Sequence, residues 1–364
     1  HRVATLGDTE DVSLAMRVSF VCLWSCAAAL RAVPPTRACV SMSSSARAFT
    51  PNTPRDGGVI SEPAAQWALG QMSCVDVELD TPELRASVRT TFLRPEPSHP
   101  SEPERPLALF LHGADFSCLE WRLVMRPLLE AGIDCVALDW YSGGWTDRLP
   151  LNARLQRAAD VAPDAYQKGR GEVTPWAVVR QHVYSFWEQQ LQRRPVVLVG
   201  ASLGGAVALD LATTHPEAVS RLVLIDAGGE SFKAPPPDTV SSFAAPVLGV
   251  KSFLQSVQAK LPDDQSRIVS LHRGQPGCYS ASLLYLRAGS MARRVGPQTA
   301  RAVTQPTLVL WGSEDAILPL SDAYAFERDL PNCVGVRELQ GSGHSPHLDN
   351  PEAVHPLLKD FILG

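Results

Sequence analysis

Residues 196–214 read VVLVGASLGGAVALDLATT: four aliphatic residues, a serine framed by glycines, then a run of Ala and Leu. Val196–Val199 is apolar without alternation, which a strand covered on both faces of a sheet requires. The residues from Leu203 to about Thr214 favour helix. Between them, Gly200-Ala201-Ser202-Leu203-Gly204 fits G-x-S-x-G, and a buried strand before with a helix after predicts a sharp strand-to-helix turn. Such a turn strains Ser202, uses small residues at 200 and 204 to let neighbouring chain approach, and exposes the hydroxyl above the sheet. The helix start behind it turns free N–H groups and a positive dipole end toward developing negative charge.

The same rhythm extends in both directions. Met72–Asp80 and Arg85–Arg94 carry β-branched residues around Thr-Pro-Glu and predict an opening antiparallel pair. Further buried strands are predicted at Leu107–Leu111, Cys135–Trp140, Leu222–Ile225, Thr307–Trp311 and Gly335–Leu339. Helices are expected at Trp121–Ala131, near Pro175–Gln192, near Leu320–Leu330 and from about Pro351. Continuously apolar strands, each followed by a helix, imply an α/β fold with a mostly parallel sheet flanked by helices. From Ala227 to about Gln305 the rhythm breaks. Pro235–Pro237 and helical patterns near Ser242–Leu261 and Cys278–Arg294 predict a helical cap, residues 227–306, inserted before the penultimate strand over the sheet's carboxyl edge, where ligands bind. The core then comprises residues 56–226 and 307–364. Phe243, Phe253, Leu283 and Tyr285 are the cap's apolar candidates for shaping a pocket.

A serine hydroxyl at neutral pH needs a base, itself oriented by a third group. His344, in the small-residue loop Gly341-Ser-Gly-His-Ser-Pro-His after the last strand, is the best base, with His347 its rival. His112 is read as a strand-end hydrogen-bonding residue and His215 as helix-terminal; His182 and His272 are also assigned structural places. Asp315, just past Thr307–Trp311, is the acid. Glu314 beside it is expected to point away, and Asp226 at the end of the preceding strand is the alternative acid. The oxyanion donors are expected to be Leu203 N–H and, from His112-Gly113-Ala114-Asp115, Ala114 N–H.

His112-Gly113, the Ser202 turn, Trp311-Gly312-Ser313-Glu314-Asp315 and Gly343-His344 occur in the block order of the α/β-hydrolase fold family. Over roughly residues 72–364 the chain resembles its cap-bearing serine-hydrolase branch. The runs HGADFSCLEWR (112–122) and GSGHSPHLDNPE (341–352) are similar to plant and algal plastid members. Ala114 stands where a bulkier residue is common, and Trp140–Asp147 (WYSGGWTD) is bulkier than the usual Gly-rich loop, so Trp145 either narrows the pocket or packs beneath the cap. Epoxide hydrolases and haloalkane dehalogenases share the architecture with Asp at the turn, and Ser202 argues against both. The resemblance implies hydrolysis of a carboxylic ester or thioester by Ser202, His344 and Asp315. The alternatives are a ligand-binding protein with negligible turnover, acyl transfer, or carbon–carbon cleavage of a diketone.

The 364 residues are 45% hydrophobic and 20% charged, values of a globular chain rather than a disordered one. A net charge of −5 gives no footprint for nucleic acid, and the longest apolar run, near residues 18–30, is too short to span a bilayer comfortably. The expected partner is a small-molecule ester or acyl substrate. Neither G-x-x-x-x-G-K nor H-E-x-x-H occurs, and the eight cysteines form no C-x-x-C and have no zinc-like spacing to His. No metal or organic cofactor is therefore expected, and the cysteines are read as free thiols. Residues 1–55 have their own composition and are expected to form a disordered targeting leader. Met16-Arg17 precedes the apolar run Val18–Leu30, and Thr36–Arg55 is rich in Ser and Arg, with no Asp or Glu between Asp11 and Asp56. A signal followed by a transit segment is the expectation, addressing the protein to a plastid with an internal cleavage point near Ala48-Phe49; a secretory signal followed by a linker is the alternative.

Overall fold

The computed structural model describes residues 47–48, 60–80, 85–96, 105–141, 143–148, 175–228, 265, 267–268, 271–275 and 297–364. In chain order the strands are β1 (Arg47–Ala48), β2 (Met72–Asp80), β3 (Arg85–Leu93), β4 (Leu107–Leu111), β5 (Asp134–Leu138), β6 (Val196–Ala201), β7 (Val219–Ile225), β8 (Thr307–Gly312) and β9 (Cys333–Leu339). The helices are α1 (Pro63–Gly70), α2 (Arg122–Glu130), α3 (Pro175–Gln190), α4 (Leu203–Thr214), α5 (Pro297–Ala302), α6 (Ser321–Asp329), α7 (Pro346–Asp349) and α8 (Pro351–Leu363). The strands form one sheet in the order β1-β2-β3-β5-β4-β6-β7-β8-β9. β1, β2 and β3 pair antiparallel, as does β3 with β5, and every pairing from β5 through β9 is parallel.

Strand pleating sorts the core. Leu107, Leu109 and Leu111 of β4 pack with Val179, Val183 and Phe186 of α3, Leu209 of α4 and Phe326 of α6. Ala108 and Phe110, one residue out of step, pack with Val124, Met125 and Leu128 of α2 and Leu358 and Ile362 of α8. Side chains alternate across a strand, so one pentapeptide, LALFL, contributes to both layers. This two-sided cover is why the central strands read as unbroken apolar runs.

The strands and helices predicted for the core within residues 72–226 and 307–364 fall where the sequence places them, with ends shifted by at most three residues. β5 stops at Leu138, and the Asp139 carboxylate just past it accepts Cys118 N–H, from the segment after β4, at 2.5 Å and Trp145 N–H, from the loop that follows β5, at 2.8 Å. Three helices and one strand lacked an anticipated signal. α1 is anchored from outside itself, Glu62 accepting two hydrogen bonds at 2.9 Å from the buried Arg122; α5 and α7 are short. β1 lies within residues 1–55, its Arg47 and Ala48 opposite Cys74 and Ser73. The rest of the expected leader, the expected cap helices near 242–261 and 278–294, and Phe243, Phe253, Leu283 and Tyr285 lie outside the described residues. Cys74, Cys118, Cys135 and Cys333 form no disulfide among the described residues. Among the described residues no helix is long and apolar enough to cross a membrane.

Candidate active site

The loops leaving the carboxyl ends of β4, β6, β7, β8 and β9 carry His112–Asp115, Ser202, Asp226, Asp315 and His344 respectively. Five neighbouring parallel strands thus deliver their next residues to one edge of the sheet. Ser202 sits at φ 50° and ψ −115°, a left-handed conformation that an L-residue adopts only when its surroundings enforce it. The enforcement is visible: Ser202 N–H donates to Ile225 O at 2.9 Å, and Ser202 O accepts Gly205 N–H at 3.1 Å and Gly228 N–H at 2.9 Å. The two glycines of the motif are required by proximity. A Cβ on Gly200 would lie 2.4 Å from Gly204 O, and one on Gly204 would lie 2.1 Å from Leu111 O.

Ser202 Oγ lies 2.9 Å from His344 Nε2, and His344 Nδ1 lies 2.7 Å from Asp315 Oδ2. A carboxylate oxygen only accepts, so Nδ1 carries the ring proton and Nε2 turns a lone pair to the serine hydroxyl. Asp315 is itself held, its Oδ1 accepting Ile317 N–H at 2.7 Å and Leu318 N–H at 3.0 Å. Its side chain is 1% exposed and that of His344 10%. The His344 loop is fixed by Gly343 N–H donating to Asp349 Oδ2 at 2.8 Å and by Glu314 N–H donating to Ser342 O at 2.9 Å.

Ala114 follows Gly113 in the turn after β4, and Leu203 follows Ser202 at the start of α4. A Cβ built on Gly113 would stand 3.4 Å from Ser202 Cβ, so the turn after β4 passes beside the serine. Leu203 is the first residue of α4, so its N–H has no acceptor inside the helix. Among the described residues neither amide donates to another protein group.

The other candidates are occupied elsewhere. Asp226 is fully buried, with Oδ1 accepting Gly312 N–H at 2.9 Å. Burial, followed by the Asp315 charge, pushes its carboxyl well above the usual range. His347 pairs with Glu120 in the interior. His112 bonds Gly113 O at 2.7 Å through Nδ1 and stacks on Trp140; burial holds it near the neutral form, with its pKa lowered to about 3. His182 bridges Thr90 and Tyr141, and His215 caps α4 and stacks on Tyr184. Glu314 is exposed. Trp145 is buried, edge-on to the His272 ring at 5.9 Å, and so packs beneath the described part of the insertion.

Two contacts around the His112–Asp115 turn had no sequence signal. Asp115, at φ 58°, pairs through its carboxylate with Arg273, Nε to Oδ2 2.6 Å, and lies 3.6 Å from His272 Nε2, both in the inserted segment. Burial alone would raise the Asp115 carboxyl, but His272 and Arg273 hold it below its usual range. Gly113 N–H donates to Glu120 Oε2 at 2.7 Å. In sequence, these partners are some 158 and 7 residues apart and carry no shared pattern. Among the described residues no three His, Cys, Asp or Glu gather as a metal would need.

Known proteins share this framework. The chain is 28% identical over 347 residues to the alpha/beta hydrolase domain-containing protein VTE7 of Arabidopsis thaliana, covering 91% of this chain and 96% of that one. A pimeloyl-[acyl-carrier protein] methyl ester esterase of Aromatoleum aromaticum is 32% identical over 193 residues, 46% of this chain and 74% of that one. Among solved structures, the 2-hydroxy-6-oxo-6-phenylhexa-2,4-dienoate hydrolase of a Rhodococcus strain superposes with a TM-score of 0.56 at 17% identity, covering 80% of this chain and all of that one. Residues 108–357, from β4 through the start of α8, match the alpha/beta hydrolase family as a whole, and with the sheet order and the turn at Ser202 they make this chain a member of that family.

Proposed function

We propose that the protein is a serine hydrolase of carboxylic esters, thioesters included, with Ser202 as nucleophile, His344 as general base and acid, Asp315 as its orienting partner, and the Ala114 and Leu203 amides as oxyanion donors. The observation that carries this reading is the pair of contacts at His344, 2.9 Å to Ser202 Oγ and 2.7 Å to Asp315 Oδ2. The esterase relative adds support by its chemistry.

In the proposed reaction, Nε2 of His344 takes the Ser202 proton as Oγ bonds to the substrate carbonyl carbon. The carbonyl π pair moves onto oxygen, where two N–H donors meet it, each worth about 3–4 kcal/mol at the transition state. His344 then protonates the leaving alcohol or thiol, and water, deprotonated by the same nitrogen, releases the acid and restores Ser202. Asp315 keeps the ring in the tautomer these steps need and stabilises the imidazolium between them.

Turnover of short p-nitrophenyl esters tests the proposal. The wild type hydrolyses them and Ser202→Ala loses activity together with labelling by a fluorophosphonate; unchanged labelling of that variant removes Ser202 as nucleophile, and tight ligand binding with no product favours a receptor-like role. The composition of residues 16–55 supports delivery to a plastid, and a fluorescent fusion of residues 1–60 that stays outside plastids in algal cells counts against it.

A further inference from the structure

Glu120 lies buried at the foot of the oxyanion turn, 2% exposed, and uses both carboxylate oxygens. Oε2 accepts the Gly113 amide at 2.7 Å, and Oε1 meets His347 Nε2 at 2.8 Å. A carboxylate offers only acceptors, so His347 keeps its proton on Nε2. The His347 ring is fully buried and stacked on Trp121, with centroids 4.6 Å apart. It stands three residues beyond His344 on α7, whose first turn is closed by Leu348 N–H and Asp349 N–H donating to Ser345 O at 2.8 and 3.0 Å. One buried carboxylate therefore ties the backbone just before Ala114 to the segment that carries the general base.

Packing stability does not account for this arrangement. Removing a carboxylate and an imidazole from water costs several kcal/mol, and well-packed apolar residues in place of a buried pair are commonly as stable or more so. What apolar residues lack is direction. Pinning Gly113 N–H fixes the 112–113 peptide plane and, through it, the aim of the Ala114 amide; joining that anchor to α7 fixes the aim relative to His344.

We propose that Glu120 and His347 are positioning residues, a strut that sets the oxyanion donors against the general base. It rests on the serine-hydrolase reading above. The strut touches no reacting atom and acts through Gly113 and the His344 loop.

The test compares Glu120→Gln, His347→Phe and His347→Gln, with p-nitrophenyl butyrate as substrate, an n-alkyl trifluoromethyl ketone as transition-state mimic and the methyl ketone of equal length as ground-state mimic. The fluoroketone forms a bond from Ser202 Oγ to its carbonyl carbon, leaves the negative charge on oxygen between the donors, and passes the serine proton to His344. Phe keeps the stack on Trp121 and deletes the donor; Gln keeps an N–H donor near the Nε2 position and deletes the stack. Misplacement by about 1 Å costs on the order of 100-fold, so kcat/KM should fall about 10- to 100-fold in Glu120→Gln and His347→Phe, with KM nearly unchanged. The fluoroketone Ki should rise by the same factor while the methyl ketone Ki holds, and His347→Gln should recover most of both. A purely structural role predicts the reverse order, Phe above Gln, with both ketones affected alike; that order, or an unchanged fluoroketone Ki in Glu120→Gln and His347→Phe, overturns the proposal. If the wild type itself binds the two ketones equally and Ser202→Ala alters neither, the serine-hydrolase reading has failed and the strut falls with it.

Discussion

The backbone at Ser202 pays for the exposure of its hydroxyl with strain: a non-glycine residue at φ 50° costs on the order of 1–3 kcal/mol. Ser202→Gly relieves that strain, so chemical denaturation should show stability maintained or raised by up to about 1 kcal/mol while ester turnover vanishes; a clear loss of stability contradicts the strained-turn account. Asp315 and Asp226 sit side by side with opposite assignments. Asp315 faces His344 and takes two backbone amides, whereas Asp226 is spent on Gly312 N–H. Asp315→Asn presents an amide that can stabilise the wrong imidazole tautomer, and kcat should drop on the order of 10³- to 10⁴-fold. Near-normal turnover in that variant would move the acid to Asp226. Ser202, His344 and Asp315 were legible because each follows a recognisable strand in a fixed chain order. Glu120, His347 and Arg273 were not, since a buried polar contact leaves no periodic trace and its partners are joined only by the fold.

Elements meet at the site through close backbone approaches and one ion pair. β4 and α4 touch where a Cβ on Gly204 would stand 2.1 Å from Leu111 O. Backbone cannot yield as a flexible side chain does, so Gly204→Ala should destabilise by about 3 kcal/mol or more or leave the protein insoluble; a well-folded, fully active variant contradicts the packing of α4 against β4. The His112–Asp115 turn is joined to the insertion between β7 and β8 by Asp115 and Arg273. Arg273→Gln leaves the buried carboxylate one cation short, and a loss of about 1–3 kcal/mol in stability with lower kcat/KM is expected. Combining it with Asp115→Asn should cost less than the sum of the singles; strict additivity would mean that the pair carries no coupling. The parallel strands were readable because burial on both faces erases alternation, and LALFL served two layers at once. α1 was not readable: its fastening is the pairing of Glu62 with Arg122, sixty residues away.

The whole molecule buries imidazoles that stay neutral. His112 and His182 both have pKa values lowered to about 3, chiefly by burial. The unfolded chain takes up protons at these positions below about pH 6.5, whereas the native state refuses them until near pH 3. Their contribution is therefore complete above pH 6.5 and is lost as pH falls toward 3, by about 2 kcal/mol per histidine between pH 7 and pH 5. Denaturation curves at the two pH values should differ accordingly, and equal stability would show that these rings are protonated in the folded protein. The sequence set these two apart from His344 by the segments they occupy, but it carried no sign of their lowered pKa values, because burial is a property of the assembled sheet and helices. In the proposed reaction one serine, at residue 202, carries the acyl group between substrate and water. Peptide mapping by mass spectrometry after reaction with a fluorophosphonate tests it most directly. One adduct per chain on the peptide containing Ser202, formed in wild type and strongly slowed in His344→Gln, is the expected result; an adduct on another residue, or none while ester hydrolysis continues, contradicts it.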